Sequence, residues 1–228
     1  MKNSEILLYH GSLHIENTPQ FDQFIGYFGP RKSFVASPSE EYSKQACSRF
    51  NVDFVLANYS FKTEGLTTVN LFLKQYSLLN LVATILKYRL TYFEGTKENE
   101  NFAYLVDNFS LNLDDIDWLV CPRIDNSNFD IILSFLKNTM SYQTMKKNLE
   151  ISEKDPAIVL VSEKALSNLT LIKNEIVEAR GYYKKYLSHD LKIRTKLKID
   201  LKQAYADKNS IYLKDIKEME IKQNDPCL

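Results

Sequence analysis

The chain has 228 residues, 44% hydrophobic and 25% charged, which suits one globular domain or one domain with an appendage. Its 29 basic and 29 acidic residues cancel, so there is no global electrostatic drive toward nucleic acid or a membrane surface. Three scattered cysteines (Cys47, Cys121 and Cys227) form neither a metal-ligand pattern nor a disulfide framework; no apolar run reaches the roughly 18 residues of a membrane helix, and the start, MKNSEILLYHG, has no apolar leader core, so a cytoplasmic protein without metal or membrane is expected.

In chain order, "ILLYHG" opens with a short all-apolar run, residues 6–9, that predicts a buried strand ending at His10-Gly11. Residues 16–32 hold Pro19, Gly26, Gly29 and Pro30 and read as a loop. Residues 33–36 form a second strand. In "SPSEEYSKQACSRF", Ser37 as cap, Pro38 at the first helical position and Glu40 three residues after the cap predict a helix over 38–50. The Val-, Phe- and Tyr-rich residues 52–61 predict a strand, and the stripe Leu78, Leu81, Val82, Ile85 and Leu86 a helix over 77–90. "EGTKENEN" reads as a surface loop, and Asp114, Asp115 and Asp117 as a solvated one. Residues 118–121 form a buried strand, 129–136 and 142–149 short helices, and 157–161 a strand followed by a helix over 163–168 capped by Ser162.

Beyond residue 174 the character changes. Residues 180–208 hold nine Lys or Arg against three Asp, with Tyr183, Leu187, Leu191, Leu197, Leu201 and Tyr205 on one helical face. "LKIRTKLKID" also alternates as a strand would; its flanks favour helix. The order of elements is mixed α+β without a regular βαβ repeat.

Few residues carry chemical signal. His14 and His189 have no Cys or His at ligand spacing, no serine sits in a nucleophile elbow, and there is no Gly-rich phosphate loop. Cys47 and Cys121 fall where packing is expected. What remains is His10, the ordinary reading of which is a hydrogen-bonded turn residue.

The stretch "LYHGS", residues 8–12, resembles the opening of the ADP-ribosyltransferase fold in its diphtheria-toxin and poly(ADP-ribose) polymerase branch, where the first core strand ends in His-Gly. More specifically, the chain resembles small bacterial ADP-ribosyltransferase-like proteins of uncharacterised function, some of them in toxin–antitoxin-like gene pairs. "YFGPRKSFVASPSEEYSKQA", "DIDWLVCPRIDN" and "AIVLVSEKALSNLTLI" resemble, in order, their second strand with its helix, a later strand with a polar turn, and the closing strand, capped helix and final strand. The resemblance implies an ADP-ribosyltransferase-like split sheet with flanking helices over residues 1–175, followed by a basic, mainly helical C-terminal extension over 176–228.

It also implies NAD as substrate. Cleavage of the nicotinamide–ribose bond passes through an oxocarbenium-like state, so the pocket must fix the ribose and carboxamide and stabilise positive charge. A histidine bonding the ribose matches His10. A tyrosine stacking on nicotinamide maps to Val35, and an acid or Gln opening a later strand maps to Ala157. Tyr9, Gly11, Ser12, Tyr27, Phe34, Arg123 and Asp125 are expected around the cofactor. Tyr27, or Phe34 with the register shifted by one, would replace the ring, and Asp155 or Glu153 the acid. The implied function is a toxin or effector that modifies a cellular macromolecule, degenerate in activity. The alternative is a catalytically inactive interaction protein on the same fold, a toxin-neutralising partner or nucleotide sensor. The basic extension is expected to hold an acidic protein rather than nucleic acid, and its removal to leave a soluble core.

Overall fold

The computed structural model describes residues 5–15, 17–21, 32–89, 98–124, 126–149, 154–203 and 210–219. The fold is mixed α+β and divides into two compact units. A sheet unit is drawn from Met1–Phe72, Leu113–Arg123 and Ser152–His189, and a helical unit from Leu73–Asn112, Ile124–Ile151 and Asp190–Leu228.

The sheet unit contains two sheets. The first has the order β1 (Glu5–Ser12), β3 (Phe54–Lys62), β7 (Leu169–Val177), all antiparallel. The second has the order β2 (Phe34–Ala36), β6 (Ala157–Leu160), β5 (Trp118–Cys121), β4 (Thr68–Asn70), antiparallel except for the parallel β4–β5 pair. β3 and β6 are apolar on both faces, as "FVLANYSF" and "AIVL" dictate, because both their faces are covered. Leu8, Phe34, Ala57, Tyr59, Phe61, Trp118, Ile158, Leu160 and Leu169 form one core cluster contributed by both sheets. Each fully buried Leu or Phe in it stabilises by about 1.5–3 kcal/mol. The opposite face of the first sheet carries Phe54, Leu56 and Val177. Packed there are Cys47 of α1 (Glu40–Cys47) and Ala179 and Tyr182 of α7 (Ala179–Gln203).

Asp117 ties the second sheet to α6 (Glu163–Ser167). It accepts from the backbone N–H of Thr67 at 2.8 Å, the Thr67 hydroxyl at 3.1 Å and the Ser162 hydroxyl at 2.6 Å, with Lys164 Nζ 3.5 Å away. Burial pushes its pKa up; the Ser162 and Thr67 bonds and the Lys164 charge outweigh that, and the net direction is down. A solvated loop was expected here, and Asp117 is instead buried.

The helical unit contains α2 (Leu78–Arg89), α3 (Glu98–Phe109), α4 (Asn126–Leu136), α5 (Tyr142–Leu149), the part of α7 from Asp190 on, and α8 (Leu213–Glu218). Leu79, Val82, Ile85 and Leu86 of α2 are buried, as the stripe requires. Buried Asn80 caps α2 by accepting from the Ser77 N–H at 2.7 Å and reaches the Phe109 carbonyl at 2.8 Å. Asn148 donates to Asp200 at 2.6 Å, and Arg194 pairs with Asp190 and Asp130.

Several expectations are corrected. β1 does not stop at His10-Gly11 but runs to Ser12 in register with β3. The first helix starts at Glu40, capped by Ser39; the Ser37 hydroxyl donates to the Pro156 carbonyl at 3.0 Å and accepts from the Ser39 N–H at 3.1 Å, ahead of the helix. Glu98 to Asn101, read as loop, begin α3, where half-buried Asn101 donates to the Leu136 carbonyl at 2.9 Å. β4 and α8 were not foreseen. The boundary at 175 falls inside β7, and residues 191–200 are helix. The expected stripe on α7 is shifted: Ile193 and Leu197 are buried, while Leu187 and Leu191 are exposed.

Candidate functional site

The two sheets meet where β1 passes β2. Tyr9 and Ser37 exchange backbone hydrogen bonds of 2.8 and 3.0 Å. One residue further along β1, His10 Nδ1 lies 2.7 Å from the Val35 carbonyl oxygen. A carbonyl only accepts, so Nδ1 carries a proton, and when the ring is neutral that tautomer leaves the lone pair on Nε2. The imidazole also stacks on Phe34, centroids 4.3 Å apart and planes at 28°.

Ser37 bonds the Pro156 carbonyl and so fixes the residue before Ala157. Ala157 pairs in turn with Cys121 at the end of β5. Two residues on, the Arg123 guanidinium lies over the Tyr42 ring of α1, 3.7 Å from its centroid. Among the described residues Arg123 has no carboxylate partner. His10, Val35, Ser37, Ala157, Arg123 and Tyr42 thus follow one another through hydrogen bonds, the β5–β6 ladder and one stacked contact, all within the sheet unit.

The residues named from sequence fare differently. His10 and Val35 are brought together, and Ala157 follows through Ser37 and Pro156; His10, expected to face a cleft, is itself buried at 7% exposure. Phe34 touches His10 but is fully buried in the core cluster, so it offers no ring face to a cleft. The register is not shifted; Val35 holds the β2 position that pairs with Val159. Ser12 lies near the surface and accepts from the His14 N–H at 3.2 Å. Tyr9 points to the other face of β1, against the Phe54 and Leu56 cluster. Gly11 has a packing reason: a Cβ there would stand 2.6 Å from both Cβ and Sγ of Cys47. Asp155 is exposed two residues before β6. Tyr27, Asp125, Glu153, Tyr205 and Cys227 lie outside the described residues.

Ser37 and Tyr42 were not singled out from sequence. Ser37 read as a helix cap because Pro38 and Glu40 complete that pattern, and nothing local marks Tyr42 as the partner of a residue on β5. No group of three or more His, Cys, Asp or Glu side chains that could hold a metal occurs among the described residues. Among the same residues, no helix is long and apolar enough to cross a membrane. No protein-family model, curated protein or solved structure matched the chain in the three comparisons made.

Proposed function

We propose that the sheet unit is an ADP-ribosyltransferase-like domain that binds NAD at the β1–β2 junction and turns it over weakly or not at all. The observation that carries the reading is the His10–Val35 bond. It joins the position implied for the ribose-binding histidine to the position implied for the nicotinamide-stacking ring. It also sets the tautomer in which Nε2 can accept from a ribose hydroxyl. Arg123, stacked on Tyr42 and lacking a carboxylate partner among the described residues, suits a diphosphate. In this reading NAD is held by His10, Ser12 and Arg123, and the chain acts as a degenerate toxin or effector on a cellular macromolecule.

Two side chains argue for low turnover. Val35 offers no π face. Ala157 is fully buried, so its position lacks both an acid and room for one, and losing one charge-stabilising group commonly costs about 10²–10³ in rate. That burial favours the second reading on the same fold, an inactive nucleotide sensor or toxin-neutralising partner.

Calorimetric titration of NAD into the purified chain, with nicotinamide release followed in parallel, tests this. Binding without fast release, weakened in His10→Asn, is the expected result. Absence of binding would replace NAD recognition by the interaction-protein reading. Robust release abolished in His10→Asn would make the domain an active transferase and Asp155 the first acid to substitute.

A further inference from the structure

The outer strand of the first sheet is built unlike a protected edge. β7 is nine residues long and, among the described residues, pairs on one side, with β3. It carries two highly exposed large apolar side chains, Ile172 at 57% and Ile176 at 74%. Sheets usually blunt such an edge by shortening it, bulging it or charging it. A bulge is present: Leu171 pairs with Tyr59 and Lys173 with Asn58, which leaves Ile172 as the extra residue. From Lys173 to Val177 the ladder is regular again.

We propose that this edge pairs antiparallel with the same edge of a second copy, about a two-fold axis at Asn174. Symmetry limits the choices. In a sheet continued through a two-fold, opposed side chains lie on the same face, so the axis must fall on a residue paired with itself. Centred on Lys173, the pairing sets ammonium against ammonium. Centred on Glu175, it sets carboxylate against carboxylate. Centred on Asn174, it sets Lys173 of each copy opposite Glu175 of the other, within the regular stretch from Lys173 to Val177.

Charge is therefore matched in this register. Lys173 and Glu175 already share one face in the single chain, 3.2 Å apart with side chains 56% and 42% exposed. The pairing would draw Ile176, now 74% exposed, out of water. An interface of one strand pair is at the small end for stable complexes, so a dissociation constant on the order of micromolar is expected. The inference does not depend on NAD binding.

Sedimentation velocity of the full chain from about 1 to about 100 μM tests it. The wild type should pass from monomer to dimer across that range. Lys173→Glu gives two acidic positions per chain and Glu175→Lys two basic ones, so each variant alone should dimerise at least tenfold more weakly. An equimolar mixture of the two should form a heterodimer at least as tight as the wild type, because every opposed pair is again Lys–Glu. Unchanged far-ultraviolet dichroism in both variants checks that these exposed substitutions leave the fold intact. A wild type monomeric at the highest concentration, or single variants that neither weaken alone nor recover when mixed, would overturn the proposal.

Discussion

His10 Nδ1 donates to the Val35 carbonyl oxygen across 2.7 Å, and this bond, together with the Tyr9–Ser37 bridge beside it, stitches β1 to β2. The histidine therefore has a structural duty whether or not a nucleotide is bound. His10→Ala should lower stability by about 1–3 kcal/mol, since it strands a carbonyl and removes a ring stacked on Phe34. His10→Asn places an amide near the Nδ1 position, so chemical denaturation should show less than half that loss. NAD titrations on the same variant should still show weakened binding, because the Nε2 acceptor is gone.

Gly11 is required by a close approach rather than by backbone conformation. Gly11→Ala should cost about 1–3 kcal/mol, from overpacking against Cys47. Cys47→Ala should not rescue it, because the Cys47 Cβ is itself 2.6 Å from the added methyl position. Cys47→Gly should recover part of the loss, less about 1 kcal/mol for glycine in a helix. Thermal melts of Gly11→Ala alone and combined with Cys47→Ala or Cys47→Gly decide it.

The Asp117 network makes stability depend on acid pH. Its carboxyl titrates below the ordinary value in the folded chain. The stabilisation is thus fully present above the unfolded pKa of about 4 and is lost as pH falls through the lower folded value. Asp117→Asn should cost about 1–3 kcal/mol near neutrality and flatten the stability profile below about pH 4. Urea titrations at a series of pH values would show a parallel, unflattened profile if the network carried no stability.

In the helical unit, Asn80→Ala should be among the most damaging polar substitutions. It removes the acceptor for the Ser77 N–H and the donor to the Phe109 carbonyl at a buried position. A loss of about 2–3 kcal/mol is expected. Arg194→Ala, which breaks a half-exposed pair with Asp130 and a less exposed one with Asp190, should cost about 1 kcal/mol.

Deletion of 176–228 should yield an aggregating chain, not the soluble core expected from sequence. The cut removes Val177, Ala179 and Tyr182, which cover one face of the first sheet. Size-exclusion chromatography of the truncated chain reads the outcome; a folded monomer would contradict the packing described.

Much of this fold was legible because single-residue periodicity was strong. The apolar runs at 54–61, 118–121 and 157–160 and the stripe on α2 announced themselves. Ser162 was legible as a cap because its hydroxyl does that locally, accepting from the Ala165 N–H at 3.0 Å. Ser37 was misread because it is bridged to Tyr9 of β1 and bonded to Pro156, 119 positions away, and no local pattern carries that information. The polar α3 was missed for a related reason: its buried face rests on few residues, Leu105 and Phe109 among them, rather than on a cap or an apolar run. At the candidate site, His10 was visible as a lone residue, whereas the Tyr42–Arg123 stack exists only once α1 and β5 are assembled.

The chain leaves the sheet unit after Phe72, returns for Leu113–Arg123, leaves again, and returns at Ser152. β2 waits for β6, its ladder partner, which begins at Ala157, and β3 waits for β7, which ends at Val177. During synthesis β1 and β3 emerge long before the strands that complete them. The nascent chain must therefore carry an unfinished sheet, apolar on both faces, while some hundred further residues are added. We expect slow, late folding of this unit on the ribosome, with arrested chains ending before residue 157 sensitive to protease and those extending past β7 resistant.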